Sequence, residues 1–216
     1  MVVVMLIGVL AVMAIPAMTT AQVDRRAYND AILVAELFRE ARTRAMGRGA
    51  AEMILMTENG NFATGSGADR GTFQLWEGQV MALPGILPVG SPMSTCGAPT
   101  IWPAAPAAGG AVVSGAATAQ LVDGVNLNGT IESQDQIWTQ IIGPGGGAAL
   151  NGAYLCFTPM GRAFFTAGTG GPAFVAGSPL LGELQITLNR ANSGVQVGIT
   201  RTIIVPNSGA TRIISH

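Results

Sequence analysis

Hydrophobic and polar positions divide the chain into three regimes. Met1 to Met18 (MVVVMLIGVLAVMAIPAM) carries no charge and no side-chain hydrogen-bond donor. A helix built from it has no polar face, so it cannot lie on the surface of a soluble domain. Eighteen helical residues span about 27 Å, slightly less than the roughly 30 Å hydrocarbon core of a bilayer. Three outcomes fit such a run: a transmembrane anchor, a signal peptide cut after Ala21 in the small-residue stretch Thr19-Thr20-Ala21, or a helix buried at the centre of a fold. No Lys or Arg precedes the run, whereas a signal peptide opens on a basic segment. The expectation is therefore an anchor.

The second regime begins at Val23. Val23, Ala27, Ala31, Val34, Leu37, Phe38, Ala41 and Ala45 recur at spacings of three and four, the period of one helix face. Asp24, Arg25, Arg26, Glu36, Arg39, Glu40, Arg42 and Arg44 mostly fall off that stripe, and Glu40 and Arg44 form an i,i+4 pair in the favourable direction. Arg42, Arg44 and Arg48 sit where a helix C-terminus favours cations, and Gly47 or Gly49 can cap it. The pattern predicts one helix running out of the apolar segment, with Pro16 as a kink at the changeover.

After Gly49 the period shortens to that of strands. Strands are predicted at 51–57, 72–77, 136–142, 154–158, 162–166, 183–188, 199–205 and 211–215, with weak strand character at 111–113. Turn signals stand at Glu58-Asn59-Gly60, Pro159-Met160-Gly161, Asn192-Ser193-Gly194 and Asn207-Ser208-Gly209. Residues 78–120 are rich in Pro, Gly and Ala and carry no charge. The region from about 78 to 150 reads as an insertion. The predicted layout is α+β: a long N-terminal helix packed on an antiparallel β-sheet domain. Its parts are an anchor or filament-core half-helix at 1–19, an amphipathic half at 20–48, and the β domain at 49–216.

Composition removes several functional classes. Eleven basic residues, all arginine, nearly balance 12 acids in 216 residues, so the net charge of −1 gives no broad basic field for nucleic acid. The only histidine is the last residue, His216. Triads, Cys/His pairs and histidine metal sites need an imidazole held in a pocket, and a terminal residue serves that poorly. Gly143-Pro144-Gly145-Gly146-Gly147-Ala148 matches GxGxxA formally. No helical pattern follows it, so it reads as a glycine loop, not a dinucleotide site. Asp123, Glu132 and Asp135 read as solvated loop charges, and Asn128-Gly129-Thr130 as a turn. No cofactor, metal, catalytic residue or small-molecule substrate is implied.

The apolar run ending in Ile15-Pro16, continuing as an amphipathic helix into a β domain, resembles type IV pilins and type II secretion pseudopilins. Within that superfamily, Ala35 to Met56 (AELFREARTRAMGRGAAEMILM) is similar to the helix end and first strand of the GspH/FimT-type minor pseudopilins. Cys156 to Phe165, Glu183 to Asn189 and Arg201 to Ile213 resemble that family's closing strands. The resemblance covers roughly half the chain.

It implies a structural minor subunit, not an enzyme, held in the inner membrane by one span with its β domain in the periplasm or on a filament. Its partners would be other pilin or pseudopilin subunits and the inner-membrane assembly platform, in a type IV pilus or a secretion pseudopilus that it primes or tips. Gly8, Ala11 and Ala14 would let neighbouring helices approach closely. Family precursors begin with a basic leader, a glycine at the cut and a glutamate before the run. An in-frame extension carrying a leader and that glutamate is therefore expected upstream of Met1. Arg25 and Arg26 follow the run, which by charge alone would place that side in the cytoplasm; the resemblance places it outside.

In a periplasmic domain Cys96 and Cys156 can form a disulfide, or they can remain two buried thiols. Two further functions stay open. One is a DNA-binding minor pilin for DNA uptake, with Arg201 and Arg212 as weak contact candidates. The other is a β-domain adhesin or enzyme secreted after cleavage at Ala21.

Overall fold

Eleven strands and one helix make up the described residues of the structure, a computed structural model. It describes residues 2–58, 71–79, 91–97, 102–103, 119–127, 135–168, 174, 179–192 and 195–216; for residues 2–20, 23, 135, 136, 191, 192 and 195 it describes the backbone alone. The helix is α1, Val2–Arg48. Ala27, Ala31, Val34, Leu37, Phe38, Ala41 and Ala45 are all buried, along with Ala35. The apolar stripe read from the sequence is thus the docked face, and four of its seven members are alanines that let the sheets come close. Gly49 ends the helix at φ 70°, with its N–H donating to the Ala45 carbonyl at 3.2 Å. The left-handed cap is Gly49, not Gly47, because only a residue without Cβ takes that conformation freely.

Both sheets are antiparallel, and the fold is α+β. The first has the order β3 (Ala119–Asn126), β2 (Thr72–Gly78), β1 (Glu52–Thr57), β6 (Gly152–Phe157), β7 (Ala163–Ala167). The second has the order β11 (Arg212–Ser215), β10 (Arg201–Pro206), β8 (Glu183–Asn192), β4 (Asp135–Ile142), β5 (Ala149–Leu150), with β9 (Val195–Gln196) also paired to β8. One core joins the helix stripe to Ile54, Phe73, Leu155 and Phe157 of the first sheet and Ile141, Ile186 and Ile203 of the second. Phe38 meets Phe73 edge-on, with ring centroids 6.5 Å apart.

A second cluster covers the opposite face of the first sheet. Met53 and Leu55 of β1, Trp76 of β2, and Tyr154 and Cys156 of β6 pack there with Cys96, Trp102 and Phe174. Central strands β1 and β6 are consequently buried at every position, which is why their sequences read as continuous apolar runs rather than alternating ones.

Residues 119–150 differ from the expected insertion. They supply β3 to the first sheet and β4 and β5 to the second, and β4 pairs with β8 along eight residues. The single expected sheet is two sheets, tied where the Ile141 N–H donates to Glu58 Oε2 at 2.9 Å. The strand character read at 111–113 lies outside the described residues.

Candidate functional site

The side chains of Gly8, Ala11, Ala14 and Pro16, proposed from sequence for helix packing and the kink, lie outside the described residues. Among the described residues no helix is long and apolar enough to cross a membrane; the side chains of the apolar run lie outside the described residues. What the structure positions is the junction between α1 and the β domain.

At its start, Arg190 of β8 donates from Nη1 to Asp24 Oδ1 at 2.9 Å. One turn on, the Arg201 guanidinium of β10 lies 5.5 Å from the centroid of the Tyr28 ring. Further along, Arg39 Nη2 donates to the Thr211 carbonyl at 3.1 Å, beside the turn between β10 and β11. The helix is therefore clamped to the second sheet from the first turns whose side chains are described.

Near the helix C-terminus the clamp passes to the first sheet through charge. Arg44 reaches Glu77 Oε2 at 3.1 Å, Glu52 Oε1 at 3.5 Å and Glu40 Oε1 at 3.7 Å, and Arg48 reaches Glu77 Oε2 at 2.8 Å. Glu52 and Glu77 are cross-strand partners on β1 and β2. Glu52 is fully buried, and neither of its carboxylate oxygens has a hydrogen-bond partner among the described residues. Burial, reinforced by the Glu77 charge and only partly offset by Arg44, pushes its carboxyl up to about 8. Burial also pushes Glu58 up to about 7, although the Ile141 N–H favours its charged form. Desolvation raises Asp30 in the same direction. The Glu52–Glu77 pair is a buried electrostatic joint between the helix end and the first sheet: Arg44 and Arg48 close on Glu77, Arg44 alone reaches towards Glu52, and the cluster opens to solvent chiefly at Arg48.

Cys96 and Cys156 are joined in a disulfide. The bond lies in the outer cluster and fastens the segment 91–97 across the first sheet. Trp102 Nε1 donates to the Cys96 carbonyl at 2.7 Å, and Met93 bonds to the backbone of Gly78 and Ala51.

Arg201 and Arg212 are not brought together as a basic patch. Arg201 is buried over Tyr28, while Arg212 is exposed and pairs with Glu183 at 3.0 Å. Arg201 opposes Ser215 and Arg212 opposes Ile204, which sets the two arginines about 10 Å apart along the β10–β11 pair.

Asp123 is exposed on β3 and accepts from the Gly124 N–H at 2.7 Å. Asp135 begins β4, and Asn128 and Glu132 lie outside the described residues. Gly143 to Ala148 is the turn joining β4 to β5, with Gly145, Gly146 and Gly147 all at positive φ. The His216 N–H donates to the Thr200 carbonyl. Among the described residues no group of three His, Cys, Asp or Glu side chains could hold a metal.

Sequence reasoning overlooked Glu52, Glu77, Glu58 and Arg190. Glu52 opens the apolar strand β1 (EMILMT), and a charge adjoining a continuous apolar run is the available signal for a buried ion pair; β2 (TFQLWEG) has no such run beside Glu77. Comparison of the chain with models of protein families, with curated proteins and with solved structures finds no match in any of the three.

Proposed function

We propose that the chain is a membrane-anchored structural subunit of a pilin-like filament, working by assembly and not by turnover. On this reading the apolar run and the amphipathic stripe belong to one long helix. Its first half is held in the inner membrane and later packs among neighbouring helices, and its second half carries the β domain on the far side of the membrane. The resemblance to minor pseudopilins gives the expected place, a priming or tip position in a type IV pilus or a secretion pseudopilus.

The observation that carries the reading is where the domain's grip on the helix begins. Asp24 and Tyr28 are held by Arg190 and Arg201, and every stripe residue from Ala27 to Ala45 is buried. The apolar run ends at Met18, six residues before Asp24, the first charged residue. Such a helix has one segment fitted to lipid and another fitted to its own domain, with a short polar boundary between them.

Fractionation of cells making the full chain, with mass analysis of its N-terminus, tests this. The chain should stay with the membrane through alkaline carbonate washing and keep its apolar run. A soluble form beginning at Gln22 would overturn both the anchor and the filament.

A further inference from the structure

Arg42 of α1 leaves the fold through a cradle made by two turns. Gly161 lies in the turn between β6 and β7 at φ 74°, and Gly209 in the turn between β10 and β11 at φ 73°. Each closes its turn with an N–H bonded at 2.8 Å to a carbonyl, of Thr158 and of Pro206. Both glycines face the same side chain. A Cβ at Gly209 would lie 2.8 Å from Arg42 Cδ and 3.3 Å from its Nε, and one at Gly161 would lie 3.9 Å from Nε and Nη2. The guanidinium therefore passes between a loop of the first sheet and a loop of the second.

Nothing around it answers its charge. Arg42 is half-buried, and its Nε is shut off from solvent without a hydrogen-bond partner. Its side chain makes no hydrogen bond or ion pair among the described residues. Desolvating a cation without a partner is unfavourable, and here the unanswered end opens outward. The neighbours add charge of the same sign. Arg39, one turn earlier, has only the neutral Thr211 carbonyl, and Arg162, directly after Gly161, is exposed and forms no ion pair among the described residues. Glu40 is turned to Arg44, Glu36 makes no ion pair with Arg39 or Arg42, and Glu183, opposite Pro206 at the second turn, is held by Arg212. The rim is apolar. Met160 keeps 81% of its surface and Met46 keeps 47%, with Met46 Sδ 3.7 Å from where a Gly161 Cβ would stand.

We propose that this cradle is a docking site for an acidic segment of a protein partner, with a carboxylate on the terminal nitrogens of Arg42 and an adjoining apolar side chain against Met46 and Met160. With Nε enclosed, the two Nη groups remain as a fork, which a carboxylate matches with paired hydrogen bonds. Arginine and methionine are both enriched where proteins meet, and methionine adapts to varied apolar shapes. A nucleic-acid strand fits less well, because its backbone draws on a longer track of cations and its phosphates give the methionines nothing apolar to cover. The site lies on the β domain, at the end of α1 away from the apolar run, so it does not depend on the anchor or the filament.

The test selects displayed random peptides on the full chain in detergent micelles, then measures binding of the recovered peptides, and of a short DNA duplex, by fluorescence anisotropy. Recovered peptides should carry Asp or Glu next to an apolar residue, and replacing that acid by its amide should weaken binding about tenfold. Arg42→Gln should weaken it by about the same factor, and Met160→Ser by roughly threefold. Arg25→Gln, which removes an equal charge from the other end of the helix, should leave binding unchanged. Where Arg42→Gln prevents the Cys96–Cys156 bond from forming, the exposed Arg162→Gln takes its place and should cost about threefold. Recovery of no peptides or of peptides without acids would overturn the proposal. So would binding that Arg25→Gln lowers as much as the cradle variants do, or a DNA duplex that binds more tightly than every peptide and is released by Arg42→Gln. Chains that bind such peptides but are washed from membranes by carbonate keep this site and lose the filament reading.

Discussion

Glu52 of β1 stands directly opposite Glu77 of β2, with both side chains buried against the last turns of the helix. Like charges facing each other across a strand pair repel, and the two arginines that answer them, Arg44 and Arg48, come from one helix end. Arg48 and Arg44 both favour Glu77, which leaves Glu52 with one long contact, to Arg44, among the described residues. The helix end and the β1–β2 pair are therefore held through a cluster that is best satisfied when Glu52 carries its proton.

Stability should consequently fall as pH rises. Glu52 and Glu58 are raised from 4.5 to about 8 and about 7, so the folded chain holds protons that the unfolded chain releases. Their contribution is complete below about pH 4.5 and is lost as pH climbs through 7 and 8. Urea unfolding should show a loss of roughly 2 kcal/mol or more between about pH 5 and pH 9. Glu52→Gln, which mimics the protonated acid, should flatten much of that slope. An unchanged slope in the variant would show that the proton resides elsewhere.

The disulfide should be a major source of stability for the outer cluster. It closes a loop of 60 residues, for which the loop-closure model gives about 4 kcal/mol. The paired substitution Cys96→Ser and Cys156→Ser should lower unfolding stability by an amount of that order. It should also shift tryptophan emission to the red, because Trp76 and Trp102 belong to the same cluster as the bond. Unaltered emission would mean that the segment 91–97 stays in place without its tie.

Removing Arg190 should loosen the first docked turns of the helix. Arg190→Ala leaves a half-buried Asp24 without its partner, at a cost of about 1–3 kcal/mol. Hydrogen exchange should quicken at the amides from Asp24 to Ala31 and remain slow around Phe38. A uniform change along the helix would count against a local clamp.

Gly209 should resist substitution. It sits at φ 73° in the turn after β10, and an added Cβ would lie 2.8 Å from Arg42 Cδ and 2.9 Å from Phe157 Cε1. Gly209→Ala should cost about 1–3 kcal/mol through strain and crowding together. Thermal unfolding within a degree of the parent would show that the turn can move away from the helix.

The docked face of α1 was legible in the sequence because alanine, leucine and phenylalanine recur with the helical period, and burial from Ala27 to Ala45 follows that stripe. The central strands were legible as apolar runs, but their division between two sheets was not. Ile54 and Met53 look alike in sequence although they face different clusters. Strand β3 (AQLVDGVN) escaped notice because it stands at the edge of its sheet, is mostly exposed, and carries Asp123 and Gly124 in its middle. Its strand state is imposed by pairing with β2, not by its own pattern. The Glu52–Arg44–Glu77 cluster was hidden for a different reason. Its members are separated along the chain and meet only once β1, β2 and the helix end are assembled.

The central claim is that the apolar run carries the function by packing among other helices in membrane and filament. Gly8→Asp tests it most directly, since a charge near the middle of a membrane helix costs about 2.5–3.5 kcal/mol and also blocks close helix approach. The measurement is the amount of subunit in filaments sheared from cells making the full chain, with the Cys96–Cys156 bond as the sign that the β domain has folded. The account predicts that Gly8→Asp subunits form the disulfide yet are missing from the filaments. Filaments that take up Gly8→Asp subunits at the parental level would contradict it.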